Sequence, residues 1–136
     1  NAIGRLSMAT ISDKIGRGNA LYILGVLMAV CALCLIFAPG YFYMVVVLVT
    51  AFAYGGPSAI NPAFSTDFFG PKYSGSNYGV IMLALGFSSV FFNAISNSMY
   101  AATGAYTLTF IMGAVTAVIS IVLTWIIVRF QKKLAA

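Results

Sequence analysis

The sequence has 136 residues, of which 62% are hydrophobic and 7% are charged, and its mean hydropathy is +1.01. It carries seven Lys and Arg against two Asp and Glu, and it has no histidine. This composition excludes an ordinary soluble domain and indicates an integral membrane protein, because several apolar runs of about 20 residues match a hydrocarbon layer about 30 Å thick.

Apolar runs and short connectors with glycine or proline define the predicted elements. Only helices and closed barrels satisfy their backbone polar groups in lipid, and runs this long are helical. We therefore predict an all-α polytopic transmembrane helix bundle with no separate soluble domain. We interpret the sequence as part of a longer protein, with a truncated helix followed by four complete spans, at residues 1–12, 20–38, 42–66, 78–101 and 106–128.

The first candidate functional residue is Arg5, in the truncated opening helix. It lies eight residues before Asp13, which places it about 12 Å inside the helix end and close to the middle of a membrane. An arginine at this depth is costly unless it faces a wet cavity or a partner, so we expect it to be functional. Its planar guanidinium suits a carboxylate. Two alternatives stay open: the side chain extends to the membrane surface, or it pairs structurally with a residue outside this sequence.

A charged turn separates the opening helix from the next span and contains Asp13, Lys14, Gly16 and Arg17. Every basic residue except Arg5 falls on this side of the predicted membrane, and the others are Lys72, Arg129, Lys132 and Lys133. Cytoplasmic loops carry the excess of Lys and Arg. The Asp13 turn, the Lys72 loop and the C-terminus are therefore predicted to be cytoplasmic.

The predicted span at 42–66 contains residues that weaken a helix. Two glycines lie close to two prolines, each of which removes a backbone donor, and these residues are Gly55, Gly56, Pro57 and Pro62. The pattern predicts a kink or break, which membrane carriers use as a bending point. A static kink that serves packing is the alternative.

Polar residues form a stripe on the predicted span at 78–101. Ser89, Asn93, Ser96 and Asn97 follow at spacings of three or four residues, which places them on one broad face. We favour the lining of a translocation path for Ser89 and Asn93. Hydrogen bonding between helices in the membrane is the alternative.

The sequence offers little for other kinds of chemistry. Both acids, Asp13 and Asp67, fall at helix ends, and Cys31 and Cys34 lie inside an apolar span where packing explains them better than redox chemistry. Without a histidine, a membrane-embedded acid or a cluster of metal ligands, we predict no enzyme activity, no metal and no cofactor. We expect the lipid bilayer as a partner and no nucleic acid.

The segment Ala9-Thr10-Ile11-Ser12-Asp13-Lys14-Ile15-Gly16-Arg17 is similar to the signature loop G-x-x-x-D-[R/K]-x-G-R of the major facilitator superfamily, with Ala9 in place of the leading glycine. The resemblance implies that the chain runs from the end of helix 8 to helix 12 of a twelve-helix transporter, whose N-terminal half is the missing partner. It also implies that Asp13 and Arg17 close the cytoplasmic gate against that half. Retention of basic residues for topology alone is the alternative.

Within that superfamily, three segments resemble the oxalate–formate antiporter family: Asn1-Ala2-Ile3-Gly4-Arg5, Phe69-Gly70-Pro71-Lys72 and Asn77-Tyr78-Gly79. The resemblance implies that Arg5 binds the substrate carboxylate. The animal monocarboxylate carriers are also similar, and Asn1 stands where they have an aspartate, so we expect Asn1 to be a substrate-binding residue as well. Oxalate carriers of the family add a lysine in helix 11, where this sequence has Leu85. A second carboxylate would be buried unpaired, so we expect a monocarboxylate such as formate, lactate or pyruvate.

The predicted function is secondary active transport of a small organic anion by alternating access, in a bacterial or archaeal plasma membrane. Two alternatives stay open. One is exchange of a dicarboxylate by an oxalate–formate type antiporter. The other is a non-transporting membrane sensor or assembly subunit built on the same scaffold.

Overall fold

The computed structural model describes residues 1–134, except for the side chains of residues 131, 132 and 134. These residues form helices joined by short turns, which confirms the all-α class predicted from the sequence. In chain order the helices are α1 (Ala2–Ile15), α2 (Arg17–Phe37), α3 (Gly40–Phe69), α4 (Ser74–Thr103) and α5 (Thr107–Leu134).

The helices α2 to α5 are each long and apolar enough to cross a membrane. All four are longer than predicted. The longest are α3 and α4, which have 30 residues each, or about 45 Å against a hydrocarbon layer of about 30 Å. Helix α3 extends the span at 42–66, and α4 extends the span at 78–101. The predicted loop at 67–77 is thereby reduced to Gly70 and a 3-10 turn at Pro71–Tyr73. Hydropathy marks the part of a helix that lies in lipid, whereas backbone hydrogen bonding continues beyond it.

Glycines end both of the long helices. The amide of Gly70 donates to the carbonyl oxygen of Thr66 at 2.9 Å, and the amide of Gly104 donates to that of Tyr100 at 2.8 Å. Their φ angles are 74° and 70°, in the left-handed region that a side chain disfavours. A glycine of this conformation is a common helix stop because it satisfies a terminal carbonyl.

Helix α2 packs against both α3 and α5, and α1 packs mainly against α3. Small residues bring α2 and α5 close together. A Cβ atom at Gly18 would lie 2.6 Å from Cγ2 of Val128, and one at Gly25 would lie 2.8 Å from Cγ1 of Ile121. Close packing at small residues is typical of helices in membranes, where lipid removes the hydrophobic drive for association. The small core contains Met8, Ala20, Leu24, Ala53 and Ile60.

Helix α4 is the least packed element. None of its residues is buried, and it touches α3 and α5 along limited stretches. Its large apolar side chains are exposed, with Phe87 at 77% and Val90 at 73%. An apolar surface of this extent suits surrounding lipid or further protein rather than water.

The charged residues gather at one end of the bundle, which we call the charged end. Gly18, at the start of α2, contacts Val128 near the end of α5. Arg17 contacts Asp67 near the end of α3. The charged turn and the ends of α3 and α5 therefore lie together, as the alternating directions of the helices require. Assignment of this end to the cytoplasm stays a prediction.

Candidate functional site

Arg5 lies on α1 beside the face that packs against α3. Met8 and Ser12 on that face are buried, whereas Arg5 is exposed. Nε of Arg5 donates a hydrogen bond of 2.9 Å to Oδ1 of Asn1, one helical turn earlier. Within residues 1–134 the guanidinium forms no ion pair. Its two Nη groups are therefore available to an acceptor such as a carboxylate.

Two glycines bring α1 against α3 at the level of Arg5. A Cβ atom at Gly4 would overlap the carbonyl oxygen of Phe52. A Cβ atom at Gly55 would overlap the carbonyl oxygen of Asn1 and would lie 3.2 Å from the amide nitrogen of Arg5. The two helix backbones touch here, at a distance that only glycine allows. The position of the Arg5 backbone is thus set directly by α3.

The charged turn is organised around Arg17. Gly16 has a φ angle of 90°, which residues with a side chain disfavour. This backbone conformation interrupts the helix between α1 and α2. Nη2 of Arg17 lies 3.3 Å from Oδ1 of Asp13. Nη1 donates a hydrogen bond of 3.0 Å to the carbonyl oxygen of Ala63 and pairs with Oδ1 of Asp67. Arg17 therefore ties the start of α2 to the ends of both α1 and α3.

Both acids of the sequence thus share one arginine. Their side chains are 65% exposed at Asp13 and 40% exposed at Asp67, against 28% at Arg17. Water screens pairs that are this accessible, so each link is weak alone, and the network fixes geometry more than it adds stability. Lys14 is exposed and forms no ion pair in the described part of the chain.

Ser89 and Asn93 lie on the wall of a cavity of about 430 Å³ between α3, α4 and α5. Nδ2 of Asn93 donates a hydrogen bond of 2.8 Å to the carbonyl oxygen of Ser89. The lining contains no residue of α1. The structure therefore groups Asn1 with Arg5 and Ser89 with Asn93, and it does not bring the two pairs to one cavity.

Another member of the polar stripe, Ser96, contacts a neighbouring helix. Oγ of Ser96 lies 3.1 Å from Oγ1 of Thr109, in a hydrogen bond that joins α4 to α5. Hydrogen bonding between helices, the alternative stated for the stripe, thus applies to Ser96.

Leu85 lines the same cavity as Ser89 and Asn93. A neighbouring cavity of about 740 Å³, which also reaches α2, shares Tyr54 with it.

A family model described as Major Facilitator Superfamily matches residues 1–135. The chain belongs to the major facilitator superfamily. This membership confirms the broader of the two resemblances seen in the sequence and makes the chain part of an integral membrane protein. The narrower resemblance, to the oxalate–formate antiporter family, stays a prediction.

The chain is similar to a curated protein, "Uncharacterized MFS-type transporter YhjX" of Escherichia coli (strain K12), and the two are 35% identical over 92 residues. The match covers 66% of this chain and 23% of the relative. The aligned region thus spans about a quarter of the relative's length. No solved structure matches the chain.

The four predicted hinge residues, Gly55, Gly56, Pro57 and Pro62, all lie inside α3. The helix continues without interruption through Pro57 and Pro62, so the structure shows no break. Gly55 and Gly56 are both buried. Gly55 faces the backbone of α1, and a Cβ atom at Gly56 would overlap the side chain of Leu24 on α2. The glycines thus pack closely against α1 and α2, whereas a kink at this point, static or bending, stays a prediction.

Two residues near the candidate sites had no predicted role. Asp67 completes the Arg17 network, and Tyr54 lines both cavities. A signal for Asp67 existed, because it is one of only two acids in the sequence and lies on the basic side. Tyr54 offered none, since a tyrosine in an apolar span resembles ordinary packing.

Proposed function

We propose that the protein containing this chain is a secondary active transporter that carries a small monocarboxylate, such as formate, lactate or pyruvate. The observation that carries the proposal is the guanidinium of Arg5. Its position eight residues before Asp13 predicts mid-membrane depth, Asn1 orients it through Nε, and its two Nη groups are available within the described residues. A carboxylate accepts the parallel hydrogen bonds that such a fork offers.

The choice of one carboxylate over two rests on α4. Leu85 stands at the position where oxalate carriers of the resembling family have a lysine, and it lines the cavity beside Ser89 and Asn93. The lining of this cavity carries no charged residue. A second carboxylate would therefore be desolvated without a cation, at a cost of several kcal/mol. Ser89 and Asn93 line this cavity, which contains no residue of α1, so we assign them to the path of the substrate rather than to the carboxylate that Arg5 binds.

Transport proceeds by alternating access, with the two halves of the complete transporter rocking about a midplane site. Asp13, Lys14, Gly16 and Arg17 form the gate at the charged end, which is cytoplasmic because it holds the excess of basic residues. Asp13 is the more exposed of the two acids, as docking onto the other half requires. The Gly55, Gly56, Pro57 and Pro62 segment is the proposed bending point of α3.

Substitution of Arg5 in the complete transporter tests the proposal. Arg5→Lys keeps the charge but loses the planar fork, so counterflow of radiolabelled formate, lactate or pyruvate in liposomes should fall about tenfold or more, as expected for a lost charge-assisted hydrogen bond. The control is Lys72→Arg, an exchange of one basic residue for another outside the substrate site and the charged turn, which should retain transport.

The outcomes separate the candidate functions. Unchanged counterflow and unchanged ligand binding in the Arg5→Lys protein would remove the carboxylate site. Saturable binding of a monocarboxylate by the unmodified protein without any counterflow would favour the sensor. Preferred exchange of oxalate would favour the dicarboxylate antiporter.

A further inference from the structure

A shallow groove of about 280 Å³ lies on α5 near the charged end of the bundle. All of its lining residues come from α5, and they are Trp125, Ile126, Arg129, Phe130 and Lys133. The guanidinium carbon of Arg129 lies 4.0 Å from the centre of the Trp125 ring. Stacking occupies the face of the guanidinium, whereas its five N–H groups lie in its plane and stay accessible at the edge. The groove thus presents an oriented donor edge.

Within residues 1–134 the positive charge of this groove has no acidic side chain as a partner. The only acids of the sequence are Asp13 and Asp67, and both pair with Arg17. Helix α5 itself contains no acidic residue. Arg129 and Lys133, one helical turn apart, are both exposed. Two cations held together without an acidic side chain attract an anion.

The surroundings of the groove favour a lipid as the source of that anion. Helix α5 contacts α2 through Ile121 and Val128, and the groove lies beside this contact and is not covered by α2. Phe130 and Trp125 are 61% and 47% exposed, and they offer apolar surface next to the two cations. Tryptophan is enriched where membrane meets water, at the level of the lipid headgroups. An acyl chain can cover the apolar wall while the headgroup meets the cations.

We propose that Trp125, Arg129 and Lys133 form a binding site for the phosphate of an anionic phospholipid. The guanidinium edge of Arg129 binds the phosphate oxygens, Lys133 adds a second positive charge, and Trp125 orients Arg129. This site is separate from the proposed substrate site, and its test does not depend on transport.

Quenching of Trp125 fluorescence tests the site. The complete protein is placed in nanodiscs of phosphatidylcholine with increasing fractions of phosphatidylglycerol brominated near the headgroup. The Trp125 signal is the difference between each protein and its Trp125→Phe counterpart. Arg129→Gln should raise the phosphatidylglycerol fraction needed for half-maximal quenching roughly fivefold, the factor expected for one basic residue near an anionic surface. Arg129→Lys, which keeps the charge but loses the planar stack, should give an intermediate shift.

The matched control is Lys72→Gln, which removes one positive charge from the same end of the bundle but outside the groove. It should leave the half-maximal fraction unchanged. An equal shift in Lys72→Gln and Arg129→Gln would overturn the proposal, since it would indicate general attraction to the charged end. Equal quenching by brominated phosphatidylcholine would also overturn it. If Arg129→Gln does not purify as a folded protein, Lys133→Gln provides the same comparison.

Discussion

Arg5 and Leu85 divide the proposed substrate chemistry between two helices. Arg5 supplies a cation on α1, and Leu85 supplies an apolar side chain on the wall of the α4 cavity. If the absence of a second cation sets the preference for one carboxylate, then the preference should respond to a single substitution at Leu85. The experiment should therefore vary the charge of the residue at position 85 while its size changes little.

Leu85→Lys should increase the preference for oxalate over formate about tenfold, because the new ammonium would compensate the second carboxylate. Competition between the two anions in counterflow assays measures this preference. Leu85→Met is the matched control, since it keeps the site apolar at similar volume. An unchanged preference in Leu85→Lys, with normal membrane insertion, would show that the α4 cavity does not border the substrate.

Individual residues were predictable where their partners are close in sequence. Asn1 and Arg5 stand four residues apart, and the hydrogen bond of 2.9 Å between them is one that this spacing allows within a single helix. The pairing of Arg17 with Asp67 depends on how α3 packs against α2, which no local pattern reveals. The depth of Arg5 in the membrane stays a prediction from helical rise, whereas its absence from the lining of the α4 cavity is known only from the structure.

At the scale of helices, hydropathy predicted the number of spans but not their ends. Helix α3 begins at Gly40 and ends at Phe69, because its hydrogen bonds continue past the lipid until Gly70 stops them. The sequence also indicated only part of the role of the glycines in α3, because it did not reveal their contacts with other helices. Gly55 weakens a helix in principle, but here it allows α1 and α3 to touch at their backbones.

Gly55→Ala should destabilise the complete protein by about 1–3 kcal/mol, the usual cost of overpacking a close contact. The added Cβ atom would overlap the carbonyl oxygen of Asn1 and would force α1 away from α3. Thermal unfolding in detergent measures the change.

Gly75→Ala is the control for this substitution. A Cβ atom at Gly75 meets no atom within 4 Å, and alanine favours the helix over glycine by about 0.5–1 kcal/mol. Stability in this variant should be unchanged or slightly higher. Equal destabilisation at both glycines would argue against a specific contact between α1 and α3.

At the scale of the whole molecule, the helix pairings could not be predicted from composition. Faces that meet lipid and faces that meet another helix are both apolar, so hydrophobic pattern does not distinguish them. The available signal was the placement of small residues, and Gly18 and Gly25 do lie where α2 meets α5. Helix α4 carries Gly79 and Gly86 as well, but a Cβ atom at either meets nothing within 4 Å.

The Arg17 network links three helices at the charged end and makes a prediction at this scale. Asp67→Asn should lower stability by up to about 1 kcal/mol, as for an accessible ion pair. Asp13→Asn should lower it less, because Asp13 lies 3.3 Å from Arg17 and is 65% exposed. Thermal unfolding of both variants in detergent measures the difference. A larger loss in Asp13→Asn would show that the link from α1 to α2 matters more than the link from α2 to α3.

The backbone contact between α1 and α3 also bears on how relatives of this protein diverge. The amide of Arg5 lies beside Gly55, so a change in the tilt of α3 carries the arginine with it. Chimeras that take α1 from one homologue and α3 from another would therefore displace the guanidinium even with every binding residue retained. These two segments should be exchanged together when specificity is transplanted.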